Sequence, residues 1–265
     1  MSELLVVGGG KMGEALVGGL LAAGFAEPSQ VVVIEPVEAR RAELAATFPG
    51  LVLAPAVDQV GRAVPAAAVV AVKPQQVPEV CAALGLAGVT RVLSIAAGVR
   101  LATMEAEMPA GAAVVRAMPN TPAMVGAGAS AIAGGSAATD TDLDWAEQVL
   151  GAVGTVVRVS EAQLDGVTGL SGSGPAYVFL VAEALIDAGV LVGLARPVAT
   201  ELAVQTLRGA AELLASGTPA AELRANVTSP GGTTAAGLRA LEAAGVRAAF
   251  ADAVVAATTR SAELG

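Results

Sequence analysis

The chain of 265 residues has no histidine, one cysteine, one tyrosine, one tryptophan and two lysines, Lys11 and Lys73. Without histidine, Ser-His-Asp and Cys-His catalysis and histidine-ligated zinc or iron sites are excluded. Cys81 can close no internal disulfide, as expected of a chain kept in a reducing compartment. Aromatic residues make up 2% of the chain, too few for the stacking platforms of a single-strand nucleic-acid binder. Acidic residues outnumber basic ones, 24 against 15, and the net charge of -9 repels nucleic acid and anionic membrane. The N-terminus carries Glu3 in place of a basic stretch and runs at once into glycines, unlike a signal peptide. The longest charge-free stretch, Ala117 to Thr139, contains Pro119, Asn120, Pro122 and four glycines, so no segment reads as a membrane span. A soluble cytoplasmic protein without nucleic-acid or membrane partners is expected.

Hydrophobic residues form 54% of the chain and charged residues 15%, ample for one large or two modest cores. In the first half, short apolar runs at Leu4–Val7, Val31–Ile34, Val69–Val72, Arg91–Ile95 and Val114–Ala117 alternate with segments that suit helices, such as Glu14–Ala23 and Glu38–Thr47. Near-continuous apolar strands divided by helices indicate an α/β fold, a parallel sheet covered on both faces. Ala129–Ala133, a helix at Asp140–Leu150 and a strand near Thr155–Val159 complete this half. Thereafter long Ala/Leu/Glu patterns predict helices at Pro175–Val192, Pro197–Ala215, Pro219–Asn226, Thr234–Ala244 and Arg247–Glu263. The expected division is therefore a dinucleotide-binding domain over 1–159 and an all-helical domain over 160–265. Between Tyr177 and Leu194 the only charges are Glu183 and Asp187; a helix apolar on nearly every side needs cover on nearly every side, which predicts a subunit interface.

Gly8-Gly9-Gly10-Lys11-Met12-Gly13 fits the G-x-G-x-x-G pattern and stands between a predicted strand and a predicted helix. Gly8 allows the tight turn, Gly10 lets the backbone approach a pyrophosphate, and Gly13 lets helix and strand pack closely. Glu35 follows the second strand, 22 residues after Gly13, where an acid accepts hydrogen bonds from the adenosine ribose and repels a 2′-phosphate. Arg40 and Arg41 lie close by and offer charge to that same phosphate, so the choice between NADH and NADPH stays open. Val72-Lys73-Pro74 and Ser94-Ile95-Ala96-Ala97-Gly98 end later strands, on the side of an open parallel sheet where ligands bind. Thr228-Ser229-Pro230-Gly231-Gly232-Thr233-Thr234 begins a predicted helix and reads either as a carboxylate or phosphate cradle or as simple Ser/Thr capping. The acidic run from Asp140 to Asp144 lacks the glycine and closing glutamate of a calcium loop, and Gly10-Lys11 lacks the earlier glycine of a P-loop.

Taken together, Gly8–Gly13, Ala71–Gln75, Ser94–Gly98, Arg116–Pro122, Asp165–Tyr177 and Thr228–Thr234 run collinearly through the chain. In this combination the sequence resembles the pyrroline-5-carboxylate reductases. The resemblance implies a Rossmann domain followed by a helical dimerisation domain, a homodimer that often assembles into a decamer, and reduction of 1-pyrroline-5-carboxylate to L-proline by NADPH or NADH. It places Val7, Gly8, Gly9, Gly10, Lys11 and Met12, then Ala71, Val72, Lys73 and Pro74, on the coenzyme, with Ile95, Ala96 and Ala97 near its nicotinamide end. Ser229, Gly231, Gly232, Thr233 and Thr234 become the substrate site, where backbone N–H groups hold the carboxylate and the Thr234 hydroxyl reaches the ring nitrogen. Glu161 is implied near the substrate and Asn226 near the coenzyme. Asp58 stands where many relatives have a ribose-contacting asparagine, and Glu35 where others have a small polar residue. Both departures add negative charge on the coenzyme side, against a strong preference for NADPH.

A cyclic imine takes hydride from the coenzyme and needs no protein nucleophile, which agrees with what the sequence lacks. A β-hydroxyacid dehydrogenase would need a general base, commonly a lysine in its helical domain, and no lysine follows Lys73. A non-catalytic dinucleotide sensor is the other alternative.

Overall fold

The computed structural model describes residues 4–61 and 63–265. By contact the chain divides into two compact units, one comprising residues up to Ser173 together with Ala256–Gly265, the other Gly174–Val255. The first is an eight-stranded sheet in the order β3-β2-β1-β4-β5-β6-β7-β8. Its strands are β1 Leu4–Val7, β2 Val31–Ile34, β3 Val52–Ala54, β4 Ala67–Val70, β5 Arg91–Ser94, β6 Ala113–Met118, β7 Gly128–Gly134 and β8 Gly154–Arg158. The helices between them are α1 Lys11–Ala22, α2 Glu38–Thr47, α3 Val77–Leu86, α4 Leu101–Glu105 and α5 Asp140–Gly151.

Alternate side chains along each strand serve different layers. Leu5, Val7, Val32, Val70 and Val92 pack with Cys81 and Leu84 of α3 and Met104 of α4. Leu4, Val6, Val31, Val69 and Leu93 pack with Leu16 and Leu20 of α1, Leu44 of α2 and Val149 of α5. With apolar layers on both faces, strand positions of either parity must be apolar, so these runs do not alternate. Each fully buried leucine here is worth roughly 1.5–3 kcal/mol.

The strands from β1 to β6 are parallel, as expected, and one later strand departs from them: β7 runs antiparallel to β6. Nine residues, 119–127, join them, fewer than the dozen or so a parallel crossover needs. The strand expected at Val69–Val72 lies two residues earlier, at Ala67–Val70, and Val72 leaves the ladder to line a cavity.

The expected boundary at 159/160 falls just after β8, whereas the compact units part at 173/174. Residues 160–173 stay with the sheet because Leu164, in the short helix α6 Leu164–Val167, is buried in the first apolar layer. A π-helical turn at Thr168–Gly172 follows. The helical run Glu161–Leu191 contains an 18-residue window of mean hydropathy 1.5, enough by length and composition alone to cross a membrane, where no segment was expected to read as a span.

The second unit contains α7 Gly174–Leu191, α8 Arg196–Ala215, α9 Ala220–Asn226, α10 Thr233–Ala243 and the first part of α11 Val246–Leu264, each close to its predicted span. α7 and α8 pack through small residues; a Cβ on Gly189 would stand 2.9 Å from that of Ala199. Ala199 and Ala203 are the only buried hydrophobic residues of this unit, while Phe179 is 64% and Leu180 65% exposed. Apolar side chains in such number without a core of their own mark a surface for protein contact.

Candidate active site

β1 delivers the chain into the glycine turn. Gly8 has a φ of 108°, a conformation that favours glycine, and a Cβ there would lie 2.5 Å from the Ala71 carbonyl oxygen. A Cβ on Gly13 would run into the Gly8 carbonyl oxygen, so only glycine lets α1 lie this close to the turn. At Gly10, by contrast, nothing lies within 4 Å of the Cβ position. Gly10 precedes α1 as an N-cap without a capping side chain, leaving the first-turn N–H groups and the positive end of the helix dipole available to an anion. Gly9 is held from the β2 side: its N–H donates to Glu35 Oε2 at 3.0 Å, and its carbonyl accepts from Arg40 Nε at 2.7 Å.

Next to this turn, where the strand order reverses between β1 and β4, a cavity of about 580 Å³ opens. Val7, Gly8, Gly10, Glu35, Ala71, Val72 and Lys73 line it, together with Pro55, Ala56 and Val57. A smaller cavity of about 250 Å³ is lined by Met12, Ala71, Val72, Pro74, Ile95, Ala96, Ala97, Met118 and Pro119. Ala71 and Val72 wall both, so the two are adjacent. Open space at Gly10, an uncapped helix start and paired cavities along the strand ends fit a dinucleotide, with phosphates at the turn and one ring system to either side.

Other predicted residues fall elsewhere. Lys11 is largely exposed, 3.8 Å from Glu14, and lines a separate depression with Gly18, Gly19 and Met124. Asp58 is exposed on the turn after Ala56 and borders neither cavity. Asn226 ends α9 in the second unit and is also exposed. Glu161 acts as a strut: its Oε1 accepts from the Leu101 N–H at 2.7 Å and from buried Arg116 at 3.0 Å. Sequence reasoning missed Pro55, Ala56 and Val57 because the three-residue strand before them was not recognised. Met118 and Pro119 were within reach of the strand-end rule, since β6 carries them to the same edge.

In the second unit the Thr228–Thr234 segment turns through Gly231, at φ 68°, and Gly232 N–H closes the turn on the Ser229 carbonyl at 3.0 Å. A Cβ on Gly232 would run into Ser229 Oγ. Gly232 is the N-cap of α10 and no side chain caps the helix, which sets aside the reading of simple Ser/Thr capping. Among the described residues, the N–H groups of Thr233, Thr234 and Ala235 have no hydrogen-bond acceptor, the arrangement that suits a carboxylate. Cys81 offers no rival chemistry, because burial, with Glu107 nearby, pushes its thiol up to about 11.

A glycine turn on the first strand of a parallel sheet, an uncapped helix start and cavities at the switch point define a dinucleotide-binding protein of the Rossmann class. Family comparison agrees on both halves: residues 3–98 match the family described as NADP oxidoreductase, coenzyme F420-dependent, and residues 161–264 match pyrroline-5-carboxylate reductase dimerisation. The chain is 46% identical over 290 residues to the pyrroline-5-carboxylate reductase of Mycobacterium tuberculosis (strain H37Rv), covering 100% of this chain and 97% of the relative. Its structure is similar to that of a pyrroline-5-carboxylate reductase from Coxiella burnetii, with a TM-score of 0.93 and 35% identity, covering 100% and 98% of the two chains. It is also similar to Plasmodium falciparum pyrroline carboxylate reductase with NADP bound, with a TM-score of 0.84 and 30% identity, covering 100% and 98%. The chain belongs to the pyrroline-5-carboxylate reductase family, and it is an oxidoreductase.

Proposed function

We propose that the chain reduces 1-pyrroline-5-carboxylate to L-proline with NAD(P)H, the first unit holding the coenzyme and the start of α10 holding the substrate's carboxylate. The observation that carries the second half is the uncapped N-terminus of α10, with unpaired N–H groups at Thr233, Thr234 and Ala235. Around the coenzyme, Val7, Gly8 and Gly10 form the phosphate turn, and Ile95, Ala96, Ala97, Met118 and Pro119 shape the smaller cavity for a flat ring.

NAD(P)H, when bound, supplies the hydride. The α10 amides hold the carboxylate and so fix where the C=N carbon, on the other side of the ring nitrogen from the carboxylate-bearing carbon, lies, which is catalysis by orientation. The Thr234 hydroxyl orients the ring nitrogen and carries a proton at Oγ1 without being a strong acid. No protein nucleophile enters, consistent with the buried, protonated Cys81.

The exposed apolar side chains of α7 and α8 are assigned to a second copy of the chain. This also accounts for the membrane-like hydropathy of the run ending at Leu191. A homodimer is the expected unit, a decamer of five such dimers the larger assembly, and the cytoplasm its place, in keeping with the free thiol.

Steady-state reduction of synthetic 1-pyrroline-5-carboxylate by Thr234→Ala tests the site. Losing a hydrogen bond to the reacting nitrogen is expected to lower kcat by about tenfold or more. Full activity with unchanged affinity removes Thr234 from the mechanism.

A further inference from the structure

We propose that Glu35 and Arg40 position the glycine turn, and that Arg41 reads the coenzyme's 2′ position and accepts a phosphate there. This deepens the dinucleotide reading above and rests on it.

An acid after the second strand ordinarily selects NADH by bonding the ribose hydroxyls. Here that acid is engaged with the main chain. Glu35 is 9% exposed, and both carboxylate oxygens are occupied, Oε2 by the Gly9 N–H at 3.0 Å and Oε1 by the Val37 N–H at 2.9 Å. Charge-assisted bonds of this kind are about twice as strong as neutral ones, so the carboxylate stays on the turn. Arg40 holds the other end of the same residue through the Gly9 carbonyl at 2.7 Å. Its guanidinium also bonds Glu14 of α1 and Glu43 of α2, each at 2.7 Å, so its charge is already matched by two carboxylates. A Cβ on Gly9 would lie 2.7 Å from Leu44 Cδ1 and 3.1 Å from Glu35 Oε2, so a side chain there would displace both. The phosphate turn is thus clamped from β2 and α2.

Arg41 is placed differently. Its Nη1 donates to the main-chain carbonyls of Glu35 at 2.7 Å and Pro36 at 2.8 Å, and both residues line the larger cavity. Among the described residues no carboxylate lies within ion-pair distance of it. Its Nε and Nη2 donors remain for a ligand, in the planar fork that matches phosphate oxygens. The end of β2 therefore presents a cation without a carboxylate partner beside an acid whose oxygens are already held by main-chain N–H groups, which favours NADPH.

Calorimetric titration of the full-length protein with ADP-ribose and with 2′-phospho-ADP-ribose separates these roles without turnover. For Arg41→Ala, affinity for the 2′-phosphorylated ligand falls about tenfold or more while that for ADP-ribose changes by less than about twofold. For Glu35→Gln, which cannot accept both N–H bonds, affinity for the two ligands falls by the same factor. In steady state the KM for NADH and NADPH rises together while kcat is retained, a split that general destabilisation would not produce. An Arg41→Ala protein with an unchanged ratio of affinities overturns the assignment. So does a Glu35→Gln protein that gains affinity for the phosphorylated ligand while losing it for the other. Failure of the parent protein to bind either ligand instead refutes the dinucleotide reading, and the proposal with it.

Discussion

Replacing Gly10 with alanine separates the folding of the glycine turn from its use. Gly10 has φ −66° and ψ −178°, which alanine adopts freely, and the space where its Cβ would stand is open. Alanine also lowers the entropy of the unfolded chain, which stabilises the fold by about 0.4–1 kcal/mol. The expected change in Tm is therefore zero to a rise of a few degrees, at about 2–4 °C per kcal/mol for a domain of this size. The same methyl group stands where a pyrophosphate must meet the start of α1. Loss of one charge-assisted bond to phosphate, about 1.5–3 kcal/mol, raises the coenzyme Kd by roughly 10- to 150-fold. Gly13→Ala should do the reverse: its Cβ meets the Gly8 main chain, which has no rotamer to yield, and overpacking of about 1–3 kcal/mol lowers Tm. Thermal melts and coenzyme titrations of the two variants decide the matter. A Gly10→Ala protein that binds coenzyme like its parent, or that loses as much stability as Gly13→Ala, shows that the open space at Gly10 does not serve the coenzyme.

Two further predictions concern parts away from the turn. Burial opposes ionisation of Asp142, but hydrogen bonds from Thr139 and Arg91 outweigh it and hold the carboxyl below its ordinary 3.8. A depressed value means the stabilisation is fully present above about pH 3.8 and is lost as pH falls through the lower folded value. Asp142→Asn should therefore cost about 1.5–3 kcal/mol at pH 7, with the gap to the parent closing below pH 4 in thermal melts; a gap independent of pH contradicts this. Leu180→Glu places a charge on the exposed face of α7 and should shift the assembly toward monomer in analytical ultracentrifugation. A parent protein that is itself monomeric removes the interface from the account.

Most of the fold was legible because its strands are buried on both faces and its glycines stand where a strand meets a helix. Leu4–Val7 and Val31–Ile34 were read to the residue, and the helices of the second half to within one or two. What escaped notice was short or depended on partners distant in sequence. The strand Val52–Ala54 has three residues and is followed at once by Pro55, too little pattern for a period of two to register. The antiparallel turn of β7 follows from the length of a loop, which becomes informative only once both strand ends are known. At the site, Gly8, Gly10 and Gly13 take the places their spacing indicated, because steric demands on glycine are local. The engagement of Glu35 with Gly9 joins residues 26 apart, and that of Glu161 with Leu101 joins residues 60 apart, so neither could be read from the neighbouring sequence.

In the proposed reaction, an acid held by the first amides of α10 receives hydride from a dinucleotide held by the glycine turn. Following NAD(P)H absorbance while synthetic 1-pyrroline-5-carboxylate is added to the purified protein tests it most directly. One coenzyme is expected to be oxidised for each proline formed, with the substrate KM raised when Gly232 is replaced by alanine and its methyl is forced against Ser229. Tight binding of coenzyme with no oxidation on adding the imine, at any substrate concentration, would leave a nucleotide-binding protein without this reaction and overturn the proposed function.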